Sequence, residues 1–381
     1  MLDAARHMGD PLADDVVRKI FESGGIDKVN EIMRTLVRND QLVPTELPPE
    51  VTEYLNTNVL PPTVDMASIQ RAEKFFQVWG LQISMSLFCA SLPSAYAAAN
   101  GVKVLFETAR LQTDTRRRIM ETGQFLMDVM APGGLAPGGK GVRSAQHIRL
   151  MHGAVRQLVA HDGTWDQAAW GLPINQEDLA GTLLSFSYVP VEPMARLGIR
   201  VTPDDMADYL YMWSVVGDML GVRVDLQPLT VADASDLVAT IRRRQNRSSP
   251  QGAALTAALV TLLEELTPHF GTRRAKSVLS KPHEKGLGRL VPVLIRHLIG
   301  DETADLLSVP PSQPGWFRFL APLLRLLDII DDAIEHDAHV KQLIEPFSRM
   351  LLVEMFAMER GGERAPFAIP DSLAESWTLS K

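Results

Sequence analysis

Residues 149–156 read RLMHGAVR, and the reading of this octapeptide decides the fold. At 3.6 residues per turn, steps of three and then four place Arg149, His152 and Arg156 along one helical stripe, among Leu150, Met151 and Val155. Two guanidiniums beside an imidazole on an otherwise apolar helix admit two readings. In the first, His152 is a boundary histidine bonded to a carbonyl and the arginine heads reach solvent. In the second, the imidazole is a ligand and the arginines answer a negative charge.

Working outward, helical periodicity dominates and no run alternates as a strand does. Helices are expected over 13–38, 66–89, 98–110, 113–130, 143–161, 176–189, 203–222, 229–245, 250–267, 287–299, 314–336 and 338–358. TPDDMADYL supplies a start, with Thr202 as cap, Pro203 at the first helical position and acids in the first turn. DGTW and LGIR supply glycine stops. The glycine-rich loop APGGLAPGGKGVRS lacks the spacing and the preceding strand of a phosphate cradle, and reads as a flexible connection or lid beside a site. The polar break RRRQNRSSPQG, from Arg242 to Gly252, suits a subdomain edge. The expected fold is all-α: one large multi-helix domain with globin-like packing. Residues 1–65 form an N-terminal helical extension, 66–225 the core, and 226–381 helices that pack on it in the same domain.

Composition narrows the function. The 381 residues are 46% hydrophobic, enough for a sizeable core, and only 6% aromatic. A net charge of -8 gives no reason to expect nucleic acid. One cysteine, Cys89, rules out an intrachain disulfide or a cysteine-built metal site within the chain. The N-terminus lacks the pattern of an export signal, and polar residues interrupt the apolar stretches well before the roughly 20 needed to span a bilayer. The chain is therefore expected to be cytoplasmic, without a transmembrane segment.

Haem needs an axial nitrogen, cations for two propionates and apolar walls. His152 suits the first, Arg149 or Arg156 the second, and Met120, Phe125, Met151 and Trp213 the third. His147 and His161 share the helix but not the stripe, and read as surface or boundary residues. In PINQED, Asn175 reads as a helix cap near Gln176, and Asp178 as a first-turn charge or a supporting partner.

The ordered set SLPSAY, RRRIMET, RLMHGAVR, GLPINQEDLAGTLLSF and YLYMWSVVGDMLGV, over residues 80–225, resembles the haem-dependent oxygenase family of the latex-clearing proteins (rubber oxygenases) and the MpaB-type oxygenases. The resemblance implies haem b, with His152 as the proximal ligand to its iron and Arg118 and Thr122 as the arginine and threonine of the family signature. It also implies O2 and a small apolar substrate, isoprenoid or polyketide-derived, oxidised or cleaved at a C=C bond. Where the rubber oxygenases have a lysine before that threonine, this chain has Glu121. A carboxylate cannot act as a neutral amine ligand, which puts rubber itself in doubt as the substrate. Glu121 or Glu107 is available to remove an allylic proton, although both read more simply as solvated carboxylates.

Two rivals remain. In DIIDDAIEHDAH, Asp331, Asp332 and Glu335 resemble the acidic motif by which isoprenoid synthases hold Mg2+ and diphosphate, and Glu335 with His339 would suit a transition metal. The second acidic motif of those synthases is missing. The other rival is a non-catalytic haem-binding protein that kept the fold and lost the activity. Nothing in the chain specifies its oligomeric state.

Overall fold

The computed structural model describes residues 1–38, 47–109, 115–161, 163–197, 199–266 and 290–311. The helices expected at 314–336 and 338–358, and with them Asp331, Asp332, Glu335 and His339, lie outside the described residues. The all-α expectation holds. The helices are α1 (Leu2–Ala5), α2 (Pro11–Arg38), α3 (Pro49–Thr57), α4 (Met66–Ser86), α5 (Leu92–Tyr96), α6 (Gly101–Ala109), α7 (Thr115–Met130) and α8 (Lys140–His161). They continue as α9 (Gln167–Trp170), α10 (Gln176–Phe186), α11 (Pro203–Met219), α12 (Val231–Gln245), α13 (Pro250–Leu266), α14 (Leu290–Ile299) and α15 (Asp301–Leu306). Among the described residues, β pairing is confined to an isolated bridge between Ala98 and Asn246.

The expected caps form. Thr202 Oγ1 accepts from the Asp205 amide at 3.1 Å, with Pro203 opening α11, and Asn175 Oδ1 accepts from the Asp178 amide at 3.0 Å at the head of α10. The helix expected over 13–38 forms as α2 but is broken at Gly25, whose φ is 67°. Between α4 and α5, Leu87–Ser91 widens into a π turn in which the Leu92 amide bonds the Leu87 carbonyl. Pro93 accounts for it. A proline has no N–H for the carbonyl of residue 89 and its ring would strike that carbonyl in a regular helix; a wider turn relieves both.

The Met66–Tyr96 rod is long and apolar enough by composition to cross a membrane, contrary to the expectation above, yet 72% of its most apolar window is buried inside the fold. It packs along α11, where the Phe75 and Tyr209 rings meet edge to face at 5.5 Å. Helix α8 lies between two cores. Leu150, Ala154 and Leu158 face Val16, Val17 and Ile20 of α2, while Ile148 belongs to the larger core around Trp213.

The glycine-rich loop is not a lid. It is a tight double turn on the end of α7, with Leu135 fully buried and amides of Gly134, Gly139 and Gly141 bonded within the segment at 2.7–2.9 Å. A β-carbon at Gly134 would lie 2.3 Å from the Asp128 carbonyl oxygen, so only glycine fits that approach. None of residues 131–141 lines the cavity described next.

Candidate active site

A cavity of about 430 Å3 opens among α4 to α8 and α10 to α12. Its wall contains seven of the residues assigned from the sequence to the haem or the chemistry: Arg118, Glu121, Thr122 and Phe125 of α7, Met151 and His152 of α8, and Trp213 of α11. Phe186 of α10 stacks on Trp213 at 5.1 Å, and Phe125 meets both rings edge to face. These rings close one side with apolar surface. Met120, expected in the wall, is buried in the adjoining core and does not line the cavity.

The Nδ1 of His152 is buried without a hydrogen-bond partner. Burial, reinforced by the neighbouring positive charges of Arg156 and Arg118 and opposed by Asp10, pushes its pKa down to about 4. At neutral pH the ring is therefore uncharged, with a lone pair to offer. The boundary reading required a bond from His152 to a carbonyl, and the structure shows none at Nδ1.

Arg149 and Arg156 do not join it. Arg149 grips Asp10 with two bonds of 2.6 and 2.8 Å and reaches Asn58 Oδ1 at 3.0 Å. Arg156 pairs with Asp14 and bonds the Ile174 carbonyl at 3.0 Å. Both are buried on the seam between α8 and the N-terminal segment, and neither lines the cavity. The propionate role expected of them is withdrawn on that ground. The reason is rotational: seven residues return a helix to within about 20°, so the two arginines coincide, whereas His152 lies roughly 40–60° around from either. That offset carries the imidazole over the ridge into the cavity.

Arg118 donates from Nη1 to the Leu105 carbonyl at 2.7 Å, which ties α7 to α6 in the cavity wall. Glu121 is 9% exposed and in the wall, so the solvated-carboxylate reading fails for it. The side chains of Glu107 and His161 lie outside the described residues. His147 is half-buried away from the cavity, pushed down to about 4 by burial and by Arg143, which fits its boundary reading. Among the described residues, no group of three His, Cys, Asp or Glu side chains could hold a metal ion.

The wall also holds an acidic pair, of which the sequence pointed to Asp178 as a first-turn charge or supporting partner but not to Glu177. Glu177 is fully buried and accepts from Arg244 Nε at 2.7 Å, Gln245 Nε2 at 3.0 Å and Arg6 Nη1 at 3.2 Å. Its neighbour Asp178 accepts from Arg6 at 3.2 Å and from Asn175 Nδ2 at 2.7 Å. Burial, aided by Glu177 and opposed by Arg6, pushes Asp178 up to about 6. Arg6 lies 171 residues from Glu177, a separation that local periodicity does not reach.

The profile of the family described as "ER-bound oxygenase mpaB/B'/Rubber oxygenase, catalytic domain" matches residues 76–327. The chain belongs to this family. The MpaB/rubber oxygenase match covers the whole cavity wall and continues through α12 to α15. The rubber oxygenase of Streptomyces sp. (strain K30) is 25% identical over 369 residues, covering 96% of this chain and 86% of that protein. The solved structure of latex clearing protein LCP in the closed state shares the fold, with a TM-score of 0.75, 24% identity, and coverage of 96% of this chain and 95% of that one. The relatives in this family are oxygenases, and the present chain carries the same all-α domain.

Proposed function

We propose that the protein is a haem b-dependent oxygenase that uses O2 to oxidise or cleave a C=C bond of a small apolar substrate. The observation that carries this reading is His152, a neutral imidazole whose buried Nδ1 has no partner, set in the wall of a large apolar cavity in a chain of an oxygenase family. A buried polar atom left without a partner is costly, and a ring held uncharged in such a place fits an axial iron ligand.

Haem, when bound, supplies the redox chemistry that joins O2 to the substrate's double bond. The chain's own residues do the rest. His152 holds the cofactor. Arg118 and Arg242 are the guanidiniums among the described lining residues and are the candidates for its carboxylates. Phe125, Met151, Phe186 and Trp213 exclude water and hold the apolar substrate. Glu121, in the cavity wall, is the candidate to accept an allylic proton, and Thr122 lines the cavity beside it.

An absorption spectrum with pyridine-haemochrome quantification tests the cofactor. Near-stoichiometric haem b in the wild type, lost in His152→Ala, is expected. A colourless protein that also fails to take up added haemin would overturn the reading. Oxygen uptake on addition of an alkene separates an oxygenase from a haem carrier, a distinction sharpened by Glu121 standing in the place of the lysine.

A further inference from the structure

Three side-chain oxygens in the cavity wall have no hydrogen-bond partner: Ser84 Oγ, Ser91 Oγ and Gln245 Oε1. Their residues are 3%, 1% and 5% exposed. Serine and threonine inside helices ordinarily relieve this by bonding the carbonyl four residues back. The hydroxyls of α10 do so: Thr182 bonds the Asp178 carbonyl at 2.8 Å and Ser185 the Gly181 carbonyl at 2.9 Å. Ser84 and Ser91 do not.

Gln245 is oriented by its neighbour. The Glu177 oxygens accept from two arginines and face the amide nitrogen of Gln245, which donates to them at 3.0 Å. The other end, Oε1, is thereby fixed as an acceptor and needs a donor. An ether, ketone or hydrocarbon has none to offer. A hydroxyl does, and the same hydroxyl or a second oxygen suits a serine, which both gives and receives.

We propose that this cavity selects an apolar molecule bearing a hydroxyl group, held through Ser84, Ser91 and Gln245, over the hydrocarbon of the same shape. The inference rests on reading the cavity as the substrate's site. It sets this chain apart from an enzyme for pure polyisoprene, which would meet only unanswered polar groups here. A site built around a hydroxyl loses on the order of tenfold to a hundredfold in affinity for the analogue that lacks it, since its own buried groups are left unpaired.

The test is isothermal titration calorimetry of the protein as purified, with geraniol and with 2,6-dimethyl-2,6-octadiene, its counterpart without the hydroxyl. The wild type is expected to bind the alcohol at least about tenfold more tightly. That ratio should fall towards one in the Ser84→Ala/Ser91→Ala double variant, which removes two unpartnered hydroxyls and so stays folded, or in Gln245→Leu. Equal wild-type affinities would mean that trapped water answers these atoms, and would overturn the proposal. So would a preference that survives in both variants. A loss of haemin uptake in the variants with the alcohol preference intact would assign the oxygens to the cofactor and overturn it as well. The outcomes are separable from the oxygenase reading: colourless protein that prefers the alcohol defeats only that reading, and haem-loaded protein without the preference defeats only this one.

Discussion

The two sides of α8 present opposite polar chemistry. On the seam with the N-terminal segment, Arg149 and Arg156 are buried, and each finds a carboxylate, Asp10 or Asp14, and a carbonyl or amide oxygen. On the cavity side, less than a fifth of a turn away, His152 keeps a buried nitrogen with nothing to bond. A satisfied polar group holds a fold together, whereas an unsatisfied one in a cavity wall calls for a partner or an explanation. The same contrast runs through the rest of the site. The N-terminal segment is laced down by Asp3 on Arg244 and Arg6 on Glu177 and Asp178, while the buried hydroxyls of Ser84 and Ser91 in the cavity wall have no partner.

Two substitutions separate the sides of α8. His152→Ala removes the cavity-side group, and the expected result is a haem content near zero with an unchanged far-ultraviolet circular dichroism spectrum. Retention of the wild-type Soret band would break the comparison at its root. Arg149→Leu removes the seam-side group and leaves Asp10, 3% exposed, as a buried charge without its guanidinium. Such a loss costs about 3–5 kcal/mol, read as a lower denaturation midpoint in apoprotein and haem-loaded protein alike. If Arg149 instead served a propionate, the apoprotein would melt as the wild type does and haem affinity alone would drop.

The glycine-rich loop extends the contrast to a segment that supports the site from outside it. Gly134→Ala sets a methyl against the carbonyls of Asp128 and Val129 at 2.3 and 2.5 Å. The backbone must shift, at a cost of roughly 1–3 kcal/mol. Thermal stability should fall while ligand association rates stay as they were. A change in association rate without a change in stability would restore the lid.

What was legible in the sequence was local. Helix periods, the Thr202 and Asn175 caps and the all-α class follow from neighbours within four residues, and α8 runs across the octapeptide where its period places it. His152 stood out because an imidazole in an apolar stripe is conspicuous, and the family resemblance was carried by short blocks in order. The arginines beside it were misread because their partners lie 139 and 142 residues away, and because a stripe drawn through steps of three and four hides a rotation large enough to divide a ridge. Glu177 was hidden for the same reason.

The smallest expected effect concerns Asp178, which shares features of both classes, being paired like the seam residues yet part of the cavity wall. Its pKa is about 6 in the fold against an ordinary 3.8, raised chiefly by burial. Between those values the folded protein holds a proton that the unfolded chain has released. Stability from this group is therefore complete below about pH 4 and declines as pH rises through about 6. Replacing it removes the dependence. The stability difference between wild type and Asp178→Asn should drift by on the order of 2 kcal/mol from pH 4 to pH 7, to the disadvantage of the wild type as pH rises. Urea titrations at intervals across that range measure it. A drift of the opposite sign would show that the Arg6 pairing outweighs burial, which would move Asp178 wholly to the satisfied, structural side of the molecule.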